Sequence, residues 1–418
     1  MKSHPLGVKT VYEIYDKKTK ELVYSSDRKK FGKAQVQVTI NNPGEPEKVI
    51  TFPFRSYVSN FSRVLQNGFL DVDNSTAGAA IDKLIEAVTG GATYAAAAIH
   101  TMAVNEGALT GGTQTSYGIW IGDLDNLSGL GLTLEAGIGG TVAYNDYMLR
   151  GLILANGGSP DTNVNYLANT VSMTNSDKTL KISRRFQNVG TVDVYVTEIG
   201  LVGKSGTDYF LIARDRVSAP GAAYFPLLIG GTIEVAYEFT ITDSIGLTQN
   251  YLKMLSSEFV AGNALSQVRD INNVAQTINF SSARTQKDLL AAAGTDTYGI
   301  VLGNTLISEN KELKTTAYNV YGKISHGSTV GTLDYGLVTP VTMTQELSKT
   351  SFGLYRDFEN KYATASINVD NSGLIIRQGT SPYTYYLIAY DNVPSVDNYL
   401  SIAPNQILRV KYLFEAPL

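Results

Sequence analysis

Apolar and polar residues alternate with a period of two along several stretches of the chain. Gln35-Val-Gln-Val-Thr-Ile40, Thr191-Val-Asp-Val-Tyr-Val-Thr-Glu-Ile199 and Thr232-Ile-Glu-Val-Ala-Tyr-Glu-Phe-Thr-Ile241 each send every second side chain to one face. That is the pattern of a strand with one buried side. Tyr209-Phe-Leu-Ile-Ala213 is apolar on both faces and predicts a central strand. Thr10-Val-Tyr-Glu-Ile-Tyr15 and Glu21-Leu-Val-Tyr24 flank Asp16-Lys-Lys-Thr-Lys20 and predict a hairpin, and Asn41-Asn-Pro-Gly44 supplies a turn after the next strand. Other stretches follow the helical period. Phe54, Tyr57, Val58, Phe61, Leu65 and Phe69 share one helical face, as do Tyr251, Leu252, Leu255 and Phe259. A third amphipathic stretch is expected over residues 79–88, with Ile81, Leu84, Ile85 and Val88 inward, and Val268 and Ile271 mark a weaker counterpart.

The same elements return in the same order in the second half of the chain. Asn60-Phe61, Leu65 and Phe69-Leu70 match Asn250-Tyr251, Leu255 and Phe259-Val260. Tyr117-Gly-Ile119 matches Tyr298-Gly-Ile300, and Thr141-Val-Ala-Tyr-Asn-Asp-Tyr147 matches Thr315-Thr-Ala-Tyr-Asn-Val-Tyr321. Val171-Ser-Met-Thr174 matches Val341-Thr-Met-Thr344, and Arg184-Arg-Phe-Gln-Asn188 matches Arg356-Asp-Phe-Glu-Asn360. Tyr209-Phe-Leu-Ile-Ala-Arg-Asp215 matches Tyr385-Tyr-Leu-Ile-Ala-Tyr-Asp391, and Val235-Ala-Tyr-Glu-Phe239 matches Val410-Lys-Tyr-Leu-Phe414. Collinear matches of this kind identify an internal duplication.

The expected fold is therefore mainly β, with two tandem antiparallel β-sandwich modules of jelly-roll-like character, each preceded by a helix. Residues 1–52 form an N-terminal β-hairpin extension, either a small appended sheet or an arm that pairs with a neighbour. Residues 53–242 form the first module, with a Gly- and Thr-rich insertion over 89–116, and residues 243–418 form the second. The insertion reads as a flexible excursion or an arm that orders against a partner.

Composition narrows the chemistry. Cysteine is absent, which removes disulfides, thiolate metal sites and a Cys nucleophile. Only 17% of residues are charged and the net charge is -4 without runs, so no basic stripe offers itself to nucleic acid. No apolar stretch reaches the roughly 18–20 residues of a membrane span. The N-terminus lacks the apolar core of a signal peptide, so the chain is expected to stay where it is made.

Candidate catalytic groups are few. His4, His100 and His326 lie in unrelated segments and share no metal-ligand spacing. Asp123, Asp125 and Asn126 faintly suggest a calcium loop but lack the Gly and terminal Glu of an EF-hand, so a loop capped by its own Asx side chains is the better reading. Glu198 has no acidic counterpart, since Asn371 holds its place, and reads as a solvated strand-end residue. Asp215 and Asp391 are shared, as are Arg184 and Arg356; the acids are expected to satisfy turn backbone donors, with a structural Arg–Asp ion pair as the alternative. Trp120 is expected in the core. No phosphate-binding glycine motif and no nucleophile elbow appears. The expectation is no catalytic, cofactor or metal site.

Certain motifs carry a resemblance. Ser56-Tyr-Val-Ser-Asn-Phe61 follows a strand pair, and Gly118-Ile-Trp-Ile-Gly122 leads to Asn145-Asp-Tyr-Met-Leu149, with Lys323-Ile-Ser-His-Gly327 and Leu333-Asp-Tyr335 in the second copy. Arg185-Phe-Gln-Asn-Val-Gly190 then precedes Val194-Tyr-Val-Thr-Glu-Ile-Gly-Leu201, Phe210-Leu-Ile-Ala-Arg-Asp215 and the closing Val235-Ala-Tyr237. This order resembles β-sandwich structural proteins of tailed bacteriophage virions and covers most of residues 10–242. The resemblance implies a virion subunit, assembled in the host cytoplasm and non-enzymatic, whose partners are further copies of itself in a trimer, hexamer or ring and other virion proteins. A tail, baseplate or fibre-adaptor place is the first expectation. A capsid protein (decoration or double jelly-roll coat subunit) or a module binding a host-surface glycan are the alternatives. Comparing the copies adds a rule: residues they share should serve the scaffold, and residues they do not share, such as Glu198 and Arg214, should serve a partner.

Overall fold

The structure is a computed structural model that describes residues 7–31, 33–53, 84–86, 93–95, 103–104, 106–109, 117–123, 133–134, 149–153, 163–174, 178–205, 208–217, 224–241, 246–259, 265–269, 272, 274–278, 287–304, 319–340, 352–361, 364–378, 382–393 and 399–415. The fold is mainly β, with several antiparallel sheets and, among the described residues, a single α-helix. Alternation in the sequence translates directly into burial. In β9 (Thr232–Thr240) the residues Ile233, Val235, Tyr237 and Phe239 are buried, while Glu234 and Glu238 lie on the other face.

In the first half, one sheet runs in the order Val164–Tyr166, β6 (Thr179–Asn188), β9, β3 (Lys33–Asn41) and β4 (Lys48–Pro53), with Thr170–Thr174 also on β6. A second sheet runs β8 (Asp208–Arg216), β7 (Glu198–Ser205), β5 (Gly118–Gly122), Gly151–Leu152 and Thr133–Leu134. The second half follows the same plan. One sheet runs Asp334–Tyr335, β11 (Phe352–Glu359), β14 (Gln406–Glu415), β1 (Gly7–Asp16) and β2 (Leu22–Phe31). Another holds β12 (Asn371–Gln378) between β13 (Thr384–Asn392) and Lys287–Asp288, with β10 (Gly299–Gly303) also on β12. Even the irregularities correspond. A β-bulge breaks the β7–β8 register at Leu201/Val202, and another breaks β12–β13 at Leu374/Ile375.

The N-terminal segment forms neither a separate sheet nor a free arm among the described residues. Its two hairpins go to different halves. β3 pairs with β9 along its length, whereas β1 pairs with β14 from Gly7 opposite Glu415 to Asp16 opposite Gln406. The two ends of the chain are thus neighbours in one sheet, and each half is completed by a hairpin from residues 7–53. The crossing between halves is short, since only Gly32 separates Phe31 from Lys33.

Helical expectations fare unevenly. The helix α1 (Gln249–Phe259) forms as predicted, with Tyr251, Leu252, Met254 and Leu255 buried. Thr248 caps it, its Oγ1 accepting from Tyr251 N–H while donating to the Leu387 carbonyl. The helix expected over residues 54–70 lies outside the described residues. The helix expected over 79–88 is corrected where the structure describes it: Leu84–Glu86 is a strand paired with Thr93–Ala95. Its proposed counterpart is likewise a strand, Leu265–Arg269, paired with Ala275–Ile278. β-branched and aromatic residues in short apolar runs suit both periods, and here the hairpin partner decides.

Candidate functional site

The arginines and asparagines shared by both halves are buried and bond mainly to backbone. Arg184 reaches from β6 toward the facing sheet: its Nε donates to the Leu167 carbonyl beside it (2.8 Å) and its terminal nitrogens to those of Tyr117 (3.0 Å), Ile119 in β5 (3.2 Å) and Gly107 (3.3 Å). Arg356 does the same from β11, donating to Gly336 (2.7 Å), Tyr298 (3.3 Å), Ile300 (3.0 Å), Ala292 (3.0 Å) and Thr295 (2.6 Å). Each guanidinium stacks 4.8 Å from a tyrosine ring centroid, Tyr166 and Tyr335 respectively. Those rings meet Phe186 and Phe358 edge-on at 4.7 and 4.8 Å. Their hydroxyls donate to the Ile153 and Ile324 carbonyls. Burial pulls both arginines down to about 10, which leaves them charged at neutral pH. Asn188 and Asn360 repeat the theme. Each Nδ2 bonds a nearby loop carbonyl (Val192 or Ala365, both 2.8 Å) and a carbonyl across the sheet edge (Leu227 at 3.0 Å or Ile402 at 2.9 Å).

The Arg–Asp pair held as the alternative does not form at Arg184 or Arg356, where carbonyl oxygens take most of the donors and the carboxylate near Arg184 is Glu106, at 3.9 Å. Asp391 instead faces the N-terminal strand, where Tyr12 donates to its Oδ2 (3.2 Å). The Tyr12 hydroxyl also lies 2.8 Å from Ser372 Oγ, which lies 2.7 Å from the Tyr412 hydroxyl. All these groups are fully buried. Burial, then the neighbouring Asp391, holds the Tyr12 hydroxyl far above its usual range, so it stays a donor. Tyr12 and Ser372 were not visible as a site in the sequence. The one available signal was a serine at a position where the first half has Ile199.

Glu198 is corrected from a solvated strand end to a buried group, with a side-chain exposure of 1%. It accepts from Arg214 (2.8 Å) and from the Gly151 backbone N–H (2.8 Å). Burial pushes its carboxyl up, offset in part by Arg214 and by the Gly151 and Arg150 backbone donors. In the second half Asn371 does the corresponding work with a neutral amide: Nδ2 donates to the Tyr321 carbonyl (3.0 Å) and Oδ1 accepts from Tyr321 N–H (3.3 Å). Tyr390, at the place of Arg214, meets the Tyr321 ring edge-on at 6.3 Å. Unshared residues at these positions are therefore scaffold too, and the rule that assigns Glu198 and Arg214 to a partner fails.

Remaining candidates fall into place individually. Trp120 is core. Asp123 is buried, while Asp125, Asn126, His4 and His100 lie outside the described residues. His326 is part-exposed; its Nδ1 lies 3.3 Å from Tyr335 N–H and 3.4 Å from Asp334. A single ring nitrogen cannot both accept and donate. The backbone donor is fixed, so Nδ1 accepts, and Lys361 satisfies Asp334. Among the described residues no three metal-type side chains cluster, and no helix is long and apolar enough to cross a membrane.

The surface carries cation–aromatic groups at corresponding places. Lys204 lies over Tyr117 (5.4 Å) and Tyr209 (5.6 Å), and Arg377 lies over Tyr298 (4.4 Å) and Tyr383 (4.5 Å). Tyr195 and Tyr224 form an edge-to-face pair at 4.9 Å, with Tyr224 40% exposed. Flat rings of this kind offer contact area to a partner surface or a sugar face. No family model, curated protein or solved structure matches the chain.

Proposed function

We propose that the chain is a structural subunit of a virus particle of the tailed-phage type, built as two jelly-roll-like sandwiches and working by assembly rather than catalysis. One observation supports this reading: β1 pairs along its length with β14 while β3 pairs with β9, so the segment 7–53 joins the two duplicated halves. Shared arginines and asparagines bind backbone across the sheets instead of facing a cleft. A duplicated subunit suits an assembly in which a trimer presents six similar modules and bridges parts of different symmetry. A tail, baseplate or fibre-adaptor place is preferred, with a capsid role as the alternative. Host-glycan binding is a second reading, favoured by the exposed Tyr195–Tyr224 pair.

Mass photometry of the full chain at micromolar concentration tests the proposal. Trimers, hexamers or rings are expected. A monomer that binds glycans through Tyr224, with binding lost in Tyr224→Ala, would replace the assembly reading with the second one.

A further inference from the structure

Two N-terminal hairpins must find two acceptor edges of the same design. β9 and β14 both present Val, Tyr and Phe at matching positions, Val235, Tyr237 and Phe239 against Val410, Tyr412 and Phe414. The hairpins are consecutive, so proximity along the chain does little to separate them. Several contacts differ between these edges, Val36 against Thr10 opposite the matching tyrosines among them, and one difference reaches the facing sheet. On the first edge Val38 lies opposite Val235, and on the second Tyr12 lies opposite Val410. The facing strands differ in step. Ile199 pairs with Asp215 in the first half, whereas Ser372 pairs with Asp391 in the second. Val38 and Ile199 are apolar and fully buried, while Tyr12 bonds Ser372 and Asp391.

We propose that Tyr12, Ser372 and Asp391 form a recognition site through which the second half selects the hairpin β1–β2 and rejects β3–β4. Docked on the first half, Tyr12 would meet Asp215, which both halves share, but Ile199 in place of Ser372, so its hydroxyl would lose one of its two partners. Docked on the second, Val38 would withdraw the hydroxyl that Ser372 and Asp391 use. Each error leaves buried polar groups short of a hydrogen bond, the repulsive element that specificity between similar sites requires. The inference stands apart from the particle reading, because any chain with this duplication faces the same sorting problem, within one molecule or between neighbours.

The test uses the full-length chain, whose lack of cysteine gives a clean background for disulfide reporters. Glu13 lies opposite Arg409, so Glu13→Cys with Arg409→Cys reports correct docking. Thr39 lies opposite Glu234 at the corresponding place in the first half, so Glu13→Cys with Glu234→Cys reports the wrong edge. Hydrogen exchange across β1 and β14 reads how firmly the hairpin is held. Tyr12→Val and Ser372→Ile each install the first half's residue. Each alone should lower that protection about tenfold or more, and the double variant should recover most of it, because it places at both positions the apolar residues that the first half carries there. The wrong-edge disulfide should be absent in the otherwise unchanged chain and appear in the double variant, either within a molecule or as a covalent dimer. Tyr12→Phe, which removes one oxygen and keeps the shape, guards against loss through misfolding; it should lower protection and admit some of the wrong-edge bridge, because the hydroxyl that the first edge rejects is gone. Additive losses in the double variant, or a double variant that still forms only the correct bridge, would overturn the proposal.

Discussion

The two halves of this chain solve the same structural problem with different chemistry. Their buried arginine clasps share the tyrosine under each guanidinium and the carbonyls of Tyr117 and Ile119 or Tyr298 and Ile300, while Glu106 lies 3.9 Å from Arg184 and Arg356 bonds a fifth carbonyl instead. Where β7 and β12 meet the adjacent loop, however, the first half uses the ion pair Glu198–Arg214 and the second uses Asn371 against the Tyr321 backbone. On the outer faces, Arg185 faces Glu234 at 3.4 Å, and at the matching positions Asp357 binds Arg409 at 2.7 Å, with the charges reversed. Geometry has been kept while the charges changed. What the fold demands at these sites is a satisfied polar contact, and several side-chain sets supply one.

The largest break in the comparison comes from the N-terminus. Removing residues 1–31 takes Tyr12 and Ile14 from the second core, a loss of about 3–6 kcal/mol from two buried side chains. Hydrogen exchange should show the second half unprotected and the first half, with β3 and β4, still protected. Next, Arg184→Met and Arg356→Met should each cost about 3–5 kcal/mol, since each strands several carbonyls and similar losses are expected from similar geometry. Unequal losses in thermal unfolding would show that the clasps have diverged in role.

Glu198→Gln should cost about 3 kcal/mol, because it leaves the Arg214 charge buried without its counter-ion. Glu198→Asn combined with Arg214→Tyr transplants the second half's solution and should recover part of that loss in a double-mutant cycle. The smallest effect concerns acid. Burial raises the Glu13 carboxyl, but the hydrogen bonds from Lys411 and Tyr15 outweigh it and leave it below the usual range. A carboxyl held low when folded stabilises the fold above its unfolded value of about 4.3, and the benefit fades as pH falls through the lower folded value. Protection of β1 should therefore weaken below about pH 4, and Glu13→Gln should flatten that dependence.

Much of the fold was readable because periodicity is local. Val36, Val38 and Ile40 alternate with polar neighbours, and strand β3 follows from that alone. The helix face of Tyr251, Leu252 and Leu255 was equally clear. Residues 84–86 misled because a short amphipathic stretch fits a helix turn and a strand alike, and only pairing with Thr93–Ala95 separates them. Glu198 misled for a different reason. A charge at a strand end is ordinarily solvated, and nothing local announces that Arg214 and the Gly151 N–H converge on it. The shared Arg184 and Arg356 were correctly marked as scaffold, but their partners are carbonyls, which carry no side-chain signature in a sequence.

The sequence by itself determined the duplication, the mainly β character and most of the buried faces, since these rest on spacing between near neighbours. Tertiary structure alone decided which hairpin completes which half, because strand pairing depends on edges hundreds of residues apart. It also decided the fate of every buried polar group. Whether a tyrosine such as Tyr12 packs as one more ladder residue or locks two sheets together depends on what faces it, and Ser372 and Asp391 reach that place only when the chain closes on itself.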